Sequence, residues 1–545
     1  ASHDIIFHLQ PLKRIHLYSS IDYGVESRGN IKTVFIYSAI AFFILLIGCI
    51  NFVNLTIGMC GKRFTEIGLR KVMGANKAQI VTQFWGEVII TCFLAVLSGI
   101  VLAEIFFPAF NSIVNRNIPL EYTPQTILTI SGLLILACFL GGAFPSFVFA
   151  QFKSVEILRG RMKIGGSNNF TKSLVVLQFV LSIFFILCTT LVSDQLDFIM
   201  KSYKKFENRK LVGIDLFPLR STIPDNNKKA NSIHVFQEEV LKHHAVVNSS
   251  YASAQSGFRG GVSGVPIEIN GEKKFYVTNQ IDYGYVETFE LELLEGRSFS
   301  KDITSDAKEA VIINESMKKE FGWDSAVGKK IKIFNEYYTV IGVMKDFVNT
   351  LIYYPLRPEM YLLESSRASN VFFKIDQNDI QGTVAFIKEK WEEIFPNTPF
   401  AYSFMEDGIR SAYSSEFRSR KMFGIVSSIA IILSCFGILG LTALTVTRRT
   451  KEIGIRKVFG AKVRNILSML VKEFVLLVFL AGILASPAAY YFMNKWLQNF
   501  AYHTNIRIFT FIISISSALG IALIVLSFQS IKAATANPVE SLRHE

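Results

Sequence analysis

Seven long apolar runs dominate this sequence of 545 residues. Each run contains at least the roughly 20 residues that a helix needs to cross the hydrocarbon core of a bilayer. The runs lie at about residues 33–59, 80–108, 126–150, 172–193, 423–446, 467–493 and 508–531. Half of all residues are hydrophobic and the mean hydropathy is +0.35, which is too apolar for an ordinary soluble protein. The sequence therefore predicts a polytopic α-helical membrane protein with seven spans in this chain.

A ten-residue segment occurs twice, each time directly after one apolar run and shortly before another. The first copy is Glu66–Ala75 and the second is Glu452–Ala461; they differ only by Leu/Ile at the fourth residue and Met/Phe at the eighth. A match of this length indicates an internal duplication. Glu87 and Glu473 extend the match, because each follows its copy at the same offset, just inside the next span.

Each copy is predicted to form a short amphipathic helix between two spans. The residues that share its apolar face, at i, i+3 and i+4, are Leu69, Val72 and Met73 in the first copy and Ile455, Val458 and Phe459 in the second. Glu66 and Arg70 form an acid-before-base pair four residues apart, and Gly74 stands where a left-handed cap would end the helix. We expect the apolar side to face the bundle and the charged side to face water. Two equivalent copies favour a docking role; the alternative is a positively charged turn that only anchors the topology.

The short loops predict the orientation. The loops that carry five or more Lys and Arg against a single acid are 61–77, 151–172 and 447–464. The alternate loops, 109–125 and 494–507, carry one and two basic residues. Because Lys and Arg concentrate in cytoplasmic loops, the repeated segments are predicted to face the cytoplasm. The long polar segment 194–422 then lies on the opposite side.

The same loop bias accounts for the net charge of +13, so we do not expect nucleic acid as a partner. The six Cys residues all lie in or beside apolar runs, and the long polar segment has none. Such placement indicates small packing residues rather than a disulfide framework or a CxxC metal site.

The duplication predicts five regions. They are 1–32, the end of a first outer domain; 33–170, a three-span block with a basic tail; 171–193, the leading span of the second half; 194–422, a stalked outer domain; and 423–545, a second three-span block with its tail. By symmetry with the second half, the first half should have a leading span and an outer domain too. The chain begins without an initiator Met, so we expect the sequence to lack an N-terminal part.

Glu87 and Glu473 have two interpretations. They could be functional ionisable residues within the membrane. We favour the other interpretation, in which each lies near the cytoplasmic start of its helix, where the helix dipole and the interface accommodate a carboxylate.

The segment 194–422 is predicted to be an α+β domain on a helical stalk. Apolar stripes continue from the fourth run through Leu196, Ile199, Met200 and Tyr203, and return through Ile409, Ala412, Tyr413 and Phe417. The strand signals are two hairpins, around Asn270-Gly271 and around Asn335-Glu336, and two further strands at 310–313 and 371–375. Helices are predicted at 232–243, 314–321 and 381–394. The stalk could transmit movement as a stiff lever or serve as a passive spacer.

No catalytic pattern is present in the sequence. It contains no GxSxG, no HExxH and no Cys/His metal spacing, and the domain's histidines, His234, His243 and His244, lack a partner pattern. It also lacks the G-x-x-x-x-G-K-[ST] phosphate loop, so we expect no nucleotide hydrolysis by this chain.

These features resemble the ABC-transporter permeases of the MacB/FtsX type, in their duplicated eight-span form. The resemblance rests on the two repeated segments, on the Val-Glu-x-Leu-Arg tails after the two three-span blocks, and on the outer domain. Within that domain, segments 296–299, 311–315 and 340–347 are similar to the family's periplasmic core. The resemblance implies seven of eight spans in this chain, with a MacB-like α+β periplasmic domain on a helical stalk.

The resemblance also implies function. In this family the permease pairs with a separate ATPase, which contacts the cytoplasmic helix of each half. The ATPase-coupling residues implied here are Glu66, Gly68, Arg70, Lys71, Gly74 and Ala75, with Glu452, Gly454, Arg456, Lys457, Gly460 and Ala461. ATP and magnesium would then bind to the partner ATPase, with two ATPase subunits for each chain and no cofactor in the chain itself. The expected location is the bacterial inner membrane, with the lipid bilayer around the spans and a periplasmic or outer-membrane partner for the outer domain.

Two other functions are weighed against a permease that works by mechanotransmission. One is a signalling subunit whose outer domain regulates an envelope enzyme or senses a peptide. The other is a membrane-bound enzyme, which the lack of a catalytic constellation disfavours.

Overall fold

The computed structural model describes residues 11–12, 14, 31–114, 117–151, 165–203, 210–253, 264–269, 272–333, 336–347, 352–353, 355–364, 369–448, 455–456, 459 and 463–535. The first four helices are α1 (Ile31–Val72), α2 (Lys77–Val114), α3 (Pro124–Gln151) and α4 (Gly165–Ser202). They are followed by β1 (Lys210–Asp215), α5 (Leu219–Thr222), α6 (Asn226–Leu241), β2 (Val246–Ala252), β3 (Gly264–Ile269), β4 (Glu272–Ile281), α7 (Tyr285–Thr288), β5 (Leu293–Gly296), α8 (Asp306–Glu309), β6 (Ala310–Asn314), α9 (Glu315–Glu320), β7 (Lys330–Ile333) and β8 (Glu336–Met344). The remaining elements are β9 (Glu359–Leu363), β10 (Asn370–Ile375), α10 (Ile380–Ile394), β11 (Tyr402–Phe404), α11 (Met405–Ala412), α12 (Ser414–Arg448), α13 (Val463–Leu497) and α14 (Ile508–Thr535).

Among the described residues, seven helices are long and apolar enough to cross a membrane: α1 to α4 and α12 to α14. This confirms the predicted number of spans. The chain divides into two units, one of residues 1–192, 418–493 and 506–545, the other of residues 193–417 and 494–505. We call them the helical unit and the sheet unit.

Helix α4 lies at the centre of the helical unit. One of its faces, with Val175, Ile183 and Leu187, packs in a buried cluster with α13 and α14. The contributions of α13 and α14 to that cluster include Ala481, Ala485, Ala489, Ala518 and Ala522. Small residues at such an interface let helix backbones approach closely, and the resulting van der Waals packing helps to hold helices together in lipid. Phe185 of α4 packs in a second cluster with α1 and α12.

Polar side chains join α1, α4 and α12 within this apolar packing. The Asn51 Nδ2 donates to the Leu433 carbonyl oxygen at 2.6 Å. The Gln178 Nε2 donates to the Asn51 Oδ1 at 3.1 Å and to the same Leu433 oxygen at 2.9 Å. The space for the two amides comes from Gly437, because a Cβ on Gly437 would lie 2.5 Å from the Asn51 Oδ1 and 2.8 Å from the Gln178 Oε1. We call Asn51, Gln178, the Leu433 carbonyl and Gly437 the amide seam.

The sheet unit is built on one mixed sheet, to which the described residues contribute eleven strands. The strand order is β11-β1-β10-β2-β4-β9-β6-β8-β5, with β3 paired to β4 and β7 paired to β8. Two pairs, β4 with β9 and β6 with β8, are parallel, and the other pairs are antiparallel. The predicted α+β class is therefore confirmed.

Two buried clusters hold the sheet unit together. In the first, α6 and α10 pack on β1, β2 and β10, with the Phe236 ring edge-on to Phe373, Trp391 and Phe395 at 5.4 to 5.7 Å between centroids. Edge-to-face rings at this spacing stabilise a core beyond their burial alone. The second cluster contains the inward side chains of β3, β4, β6, β7 and β8.

The segment 296–299, which carries part of the family resemblance, has a structural role. Gly296 has a φ of +72°, and a Cβ there would lie 2.1 Å from the Ile341 carbonyl oxygen, so only glycine fits. The Arg297 guanidinium then makes two hydrogen bonds to the nearly buried Asp306 carboxylate, at 2.6 and 2.8 Å. These bonds lower the pKa of Asp306 below its usual value.

Local patterns predicted several elements of this unit correctly. The structure confirms the strands at β6 and β10, the helices at α6, α9 and α10, and the first hairpin, in which Ile269 pairs with Glu272. The second hairpin was placed one residue too late, since Ile333 pairs with Glu336 and residues 334–335 connect the strands. The register follows from Ile331 and Ile333, which must both point into the core.

The predicted stalk is confirmed on one side and modified on the other. Helix α4 continues without interruption to Ser202, and Leu196, Ile199 and Tyr203 are buried as the stripe predicted. On the return side the helix breaks at Tyr413, which separates α11 from α12. The Tyr413 side chain is completely buried at this break.

Candidate functional site

The first repeated segment is the end of a long helix. Helix α1 runs without interruption for 42 residues through the span and through the segment as far as Val72. The prediction of a separate short helix is therefore wrong. The physical reason is that no proline interrupts residues 31–73, so nothing stops the helix at the membrane surface.

A tight corner follows this helix. Gly74 has a φ of +96°, and the Ala75 N–H donates to the Arg70 carbonyl oxygen at 2.9 Å, which is the six-to-one bond of a Schellman motif. The predicted left-handed cap at Gly74 is thus confirmed. Asn76 and Gln79 then exchange side-chain and backbone hydrogen bonds at 2.9 and 3.0 Å, the pattern of a capping box, and α2 begins at Lys77.

Arg70 is tied across the corner to the next helix. Its Nη1 donates to the Gln83 Oε1, and the Gln83 Nε2 donates to the Glu87 Oε1 at 3.3 Å. The Arg70 residue is exposed. The chain of contacts links the segment at the end of α1 to a carboxylate ten residues into α2, almost three turns from its start.

The described residues of the apolar face are exposed in this chain. Met73 is 81% exposed, and Phe459, its counterpart in the second copy, is 86% exposed. The expectation that this face packs on the bundle is therefore wrong for both residues. Met73 directly follows α1, at the corner that Gly74 makes.

The second copy is described at Ile455, Arg456 and Phe459 only. The Phe459 N–H donates to the Ile455 carbonyl oxygen at 3.0 Å, and Arg456 is exposed. The other implied coupling residues of this copy, Glu452, Gly454, Lys457, Gly460 and Ala461, lie outside the described residues. In the first copy, the backbone of Glu66, Gly68 and Lys71 lies in α1, and their side chains are outside the description. The coupling role of these residues stays a prediction.

Glu87 and Glu473 both have polar neighbours, and each lies ten residues after the first residue of its helix, α2 or α13. Glu87 accepts from Gln83, and Glu473 forms an ion pair with Lys172 of α4, both side chains being about 30% exposed. The interpretation that we favoured therefore does not hold for the helix dipole, which acts within the first turn of a helix. The polar neighbours accommodate the two carboxylates instead.

Sequence reasoning missed the amides that meet within the helical unit. Asn51, Asn54 and Gln178 are polar residues inside apolar runs, a signal that was present in the sequence. It also missed Gln195, which is completely buried in the sheet unit. No group of three or more His, Cys, Asp or Glu side chains in the described part of the chain is placed to hold a metal ion.

Two protein-family models match most of the chain. The model described as FtsX-like permease C-terminal matches residues 38–153 and again 424–538, and the model described as MacB-like periplasmic core domain matches residues 204–388. The double match agrees with the duplication.

Curated relatives match about half of the chain. An uncharacterized ABC transporter permease, YvrN of Bacillus subtilis (strain 168), is 26% identical over 307 residues, which are 50% of this chain and 73% of YvrN. The macrolide export ATP-binding/permease protein MacB of Neisseria gonorrhoeae is 27% identical over 283 residues, 48% of this chain and 42% of MacB. The chain thus spans less than half the length of that relative.

Among solved structures, the periplasmic region of MacB from Actinobacillus actinomycetemcomitans covers 39% of this chain and 98% of that region. The sequence identity is 16% and the TM-score is 0.28.

Proposed function

The chain belongs to the MacB/FtsX family of ABC-transporter permeases, and we propose that it couples ATP hydrolysis by a partner ATPase to movement of its sheet unit. The proposed work is export or extraction of a substrate on the far side of the bacterial inner membrane. ATP and magnesium would bind to the partner, since this chain has no phosphate loop.

The observation that carries the proposal is the form of the repeated segment. It ends the spanning helix α1 directly, so a force on Arg70 or Met73 acts on the span without an intervening hinge. The turn at Gly74 lies near the end of the segment, just after α1, where it lets α2 follow a movement of α1. Exposed Arg70 and Met73, with Arg456 and Phe459, offer a cationic and an apolar contact in each half for an ATPase subunit.

Helix α4 supports the transmission step. It is a single helix of 38 residues that contains a candidate membrane span and continues into the sheet unit. At 1.5 Å per residue it is about 57 Å long. Its only glycines are at its first two positions and it contains no proline, so it can act as a stiff rod.

The test is co-purification of the full-length protein with the ATPase encoded beside it. Charge reversal at both Arg70 and Arg456 should abolish stimulation of ATP hydrolysis while membrane insertion stays normal. The matched control reverses Lys330 and Lys332, which are exposed on β7 and carry the same total charge. ATPase stimulation that survives in the Arg70/Arg456 variant would refute the coupling role and favour topological anchors.

A further inference from the structure

The connection between α13 and α14 belongs to the sheet unit. Residues 494–505, which are the last turn of α13 and most of the loop that leads to α14, are grouped with that unit, although both helices are candidate membrane spans. Leu497 and Phe500 of this connection are buried. A short loop between two spans would normally satisfy its backbone with water, so its partners need an explanation.

Gln195 of α4 binds this connection at Tyr502 and Thr504. Its Nε2 donates to the Tyr502 carbonyl oxygen at 3.2 Å, and its Oε1 accepts from the Thr504 N–H at 2.8 Å. One amide thus pairs with a carbonyl and an N–H two residues apart, as an adjacent strand would. Because Gln195 is completely buried, loss of these bonds would leave a desolvated amide.

The β8–β9 connection contacts the same segment at Phe500, Ala501 and Tyr502. The Ile352 carbonyl oxygen accepts from the Ala501 N–H at 2.9 Å and from the Tyr502 N–H at 3.4 Å. The Tyr502 hydroxyl accepts from the Leu356 N–H at 3.2 Å. The rings of Tyr353 and Phe500 stack with centroids 4.8 Å apart.

Tyr413 connects the same point to the stalk. Its hydroxyl accepts from the Ile352 N–H at 2.6 Å and lies 3.3 Å from the Tyr203 hydroxyl, at the end of the α4 stripe. Tyr413 sits at the break between α11 and α12. Both stalk segments, the β8–β9 connection and residues 494–505 therefore meet here. We call this the Tyr413 junction.

We propose that residues 494–505 are an additional attachment through which α13 and α14 move the sheet unit, and that Gln195 and Tyr413 are the residues that fasten it. This inference rests on the proposed function and adds a route to it. The stalk helices α4 and α12 are one route; the hydrogen-bonded connection is the other, and it acts directly on the β8–β9 connection. If α13 and α14 shift, the junction must move with them or break.

The first experiment measures hydrogen exchange in the full-length protein. The Thr504 amide should be protected in the wild type, and Gln195→Leu should speed its exchange about tenfold, because a hydrogen bond from a buried group is lost. Gln498→Leu is the matched control: it makes the same change on the exposed side of the same connection and should leave exchange unchanged. Unprotected Thr504 in the wild type would overturn the attachment.

The second experiment compares the nucleotide-free complex with the complex trapped by ATP and vanadate. The wild type and Gln498→Leu should show a nucleotide-dependent change in exchange in β8 and β9, and Gln195→Leu should lose at least half of it. Tyr413→Phe removes a single oxygen atom and gives the same test if Gln195→Leu fails to fold.

The two experiments separate the proposals. A full nucleotide-dependent change in both variants would overturn the attachment and leave the proposed function standing. No nucleotide-dependent change in the wild type would refute the proposed function, and the attachment route with it.

Discussion

The amide seam makes the stability of the helical unit sensitive to one methyl group. In Gly437→Ala the new Cβ would lie 2.5 Å from the Asn51 Oδ1 and 2.8 and 3.0 Å from the Gln178 Oε1 and Nε2. Both amides would have to move, and their movement breaks the three hydrogen bonds that they make with each other and with the Leu433 carbonyl oxygen.

The size of the effect follows from these bonds. Side-chain hydrogen bonds between membrane helices contribute about 0.6 kcal/mol each on average, so the loss of three costs about 2 kcal/mol. Replacing a glycine inside a helix by alanine stabilises the helix by roughly 0.5–1 kcal/mol, which offsets part of this loss. Gly424→Ala is the matched control on the same helix, since the nearest atom to its new Cβ would be 4.0 Å away. This variant should show only the increase in stability that alanine brings to a helix. The two variants should differ by about 2 kcal/mol in the free energy of unfolding.

The assay is unfolding of the purified chain in mixed dodecylmaltoside and SDS micelles, followed by tryptophan fluorescence. Asn51→Ala should rescue part of the loss in Gly437→Ala, because it removes the atom that the new methyl group meets, and the two changes are then non-additive. Equal stability of Gly437→Ala and Gly424→Ala would refute the reasoning.

Three further predictions concern single contacts. Gly342→Ala should destabilise the sheet unit by about 1–3 kcal/mol, because its Cβ would lie 2.4 Å from the Arg297 carbonyl oxygen, which is backbone and cannot move aside; faster exchange in β5 and β8 measures it. Arg297 lowers the pKa of Asp306 in the folded protein. The ion pair therefore stabilises the fold fully above the pKa of Asp306 in the unfolded chain, about 4, and this stabilisation is lost as the pH falls through the lower pKa of the folded state. Arg297→Met should therefore destabilise β5 at neutral pH but converge with the wild type in acid, and a constant difference at every pH would contradict this. Lys172→Met should cost more than Lys172→Met combined with Glu473→Gln, since the double variant removes the charge that faces the lost cation; a thermal-melt cycle checks it.

Local sequence patterns predicted the helices and strands themselves better than they predicted which strands lie side by side in the sheet. The alternation in β7 and the asparagine-glycine turn between β3 and β4 each involve residues close in sequence, and both hairpins are present. The parallel pairing of β4 with β9 and the place of β11 beside β1 join residues far apart in the chain, and no local period encodes them. Strand order is decided by which buried faces fit together, which only the folded packing reveals.

In the candidate site, too, the features that depend on neighbouring residues were predictable and the contacts between distant residues were not. The left-handed cap at Gly74 was predictable because glycine alone adopts that backbone conformation cheaply. The absence of proline from residues 31–73 indicates one continuous helix, as α1 proves to be. The apolar stripe of the repeated segment, taken alone, indicates a separate short helix. The role of Gln195 was not predictable, since its partners Tyr502 and Thr504 are more than 300 residues away.

The amide seam also bears on the history of the chain. Asn51 stands fifteen residues before Glu66, and Gly437 stands fifteen residues before Glu452, so they are the same position in the two halves. In a symmetric pair of identical subunits, that position would carry the same residue on both sides, asparagine opposite asparagine or glycine opposite glycine. In this single chain the two positions differ, and the Asn51 amide lies in the space beside Gly437. At this position the two halves are therefore complementary rather than identical.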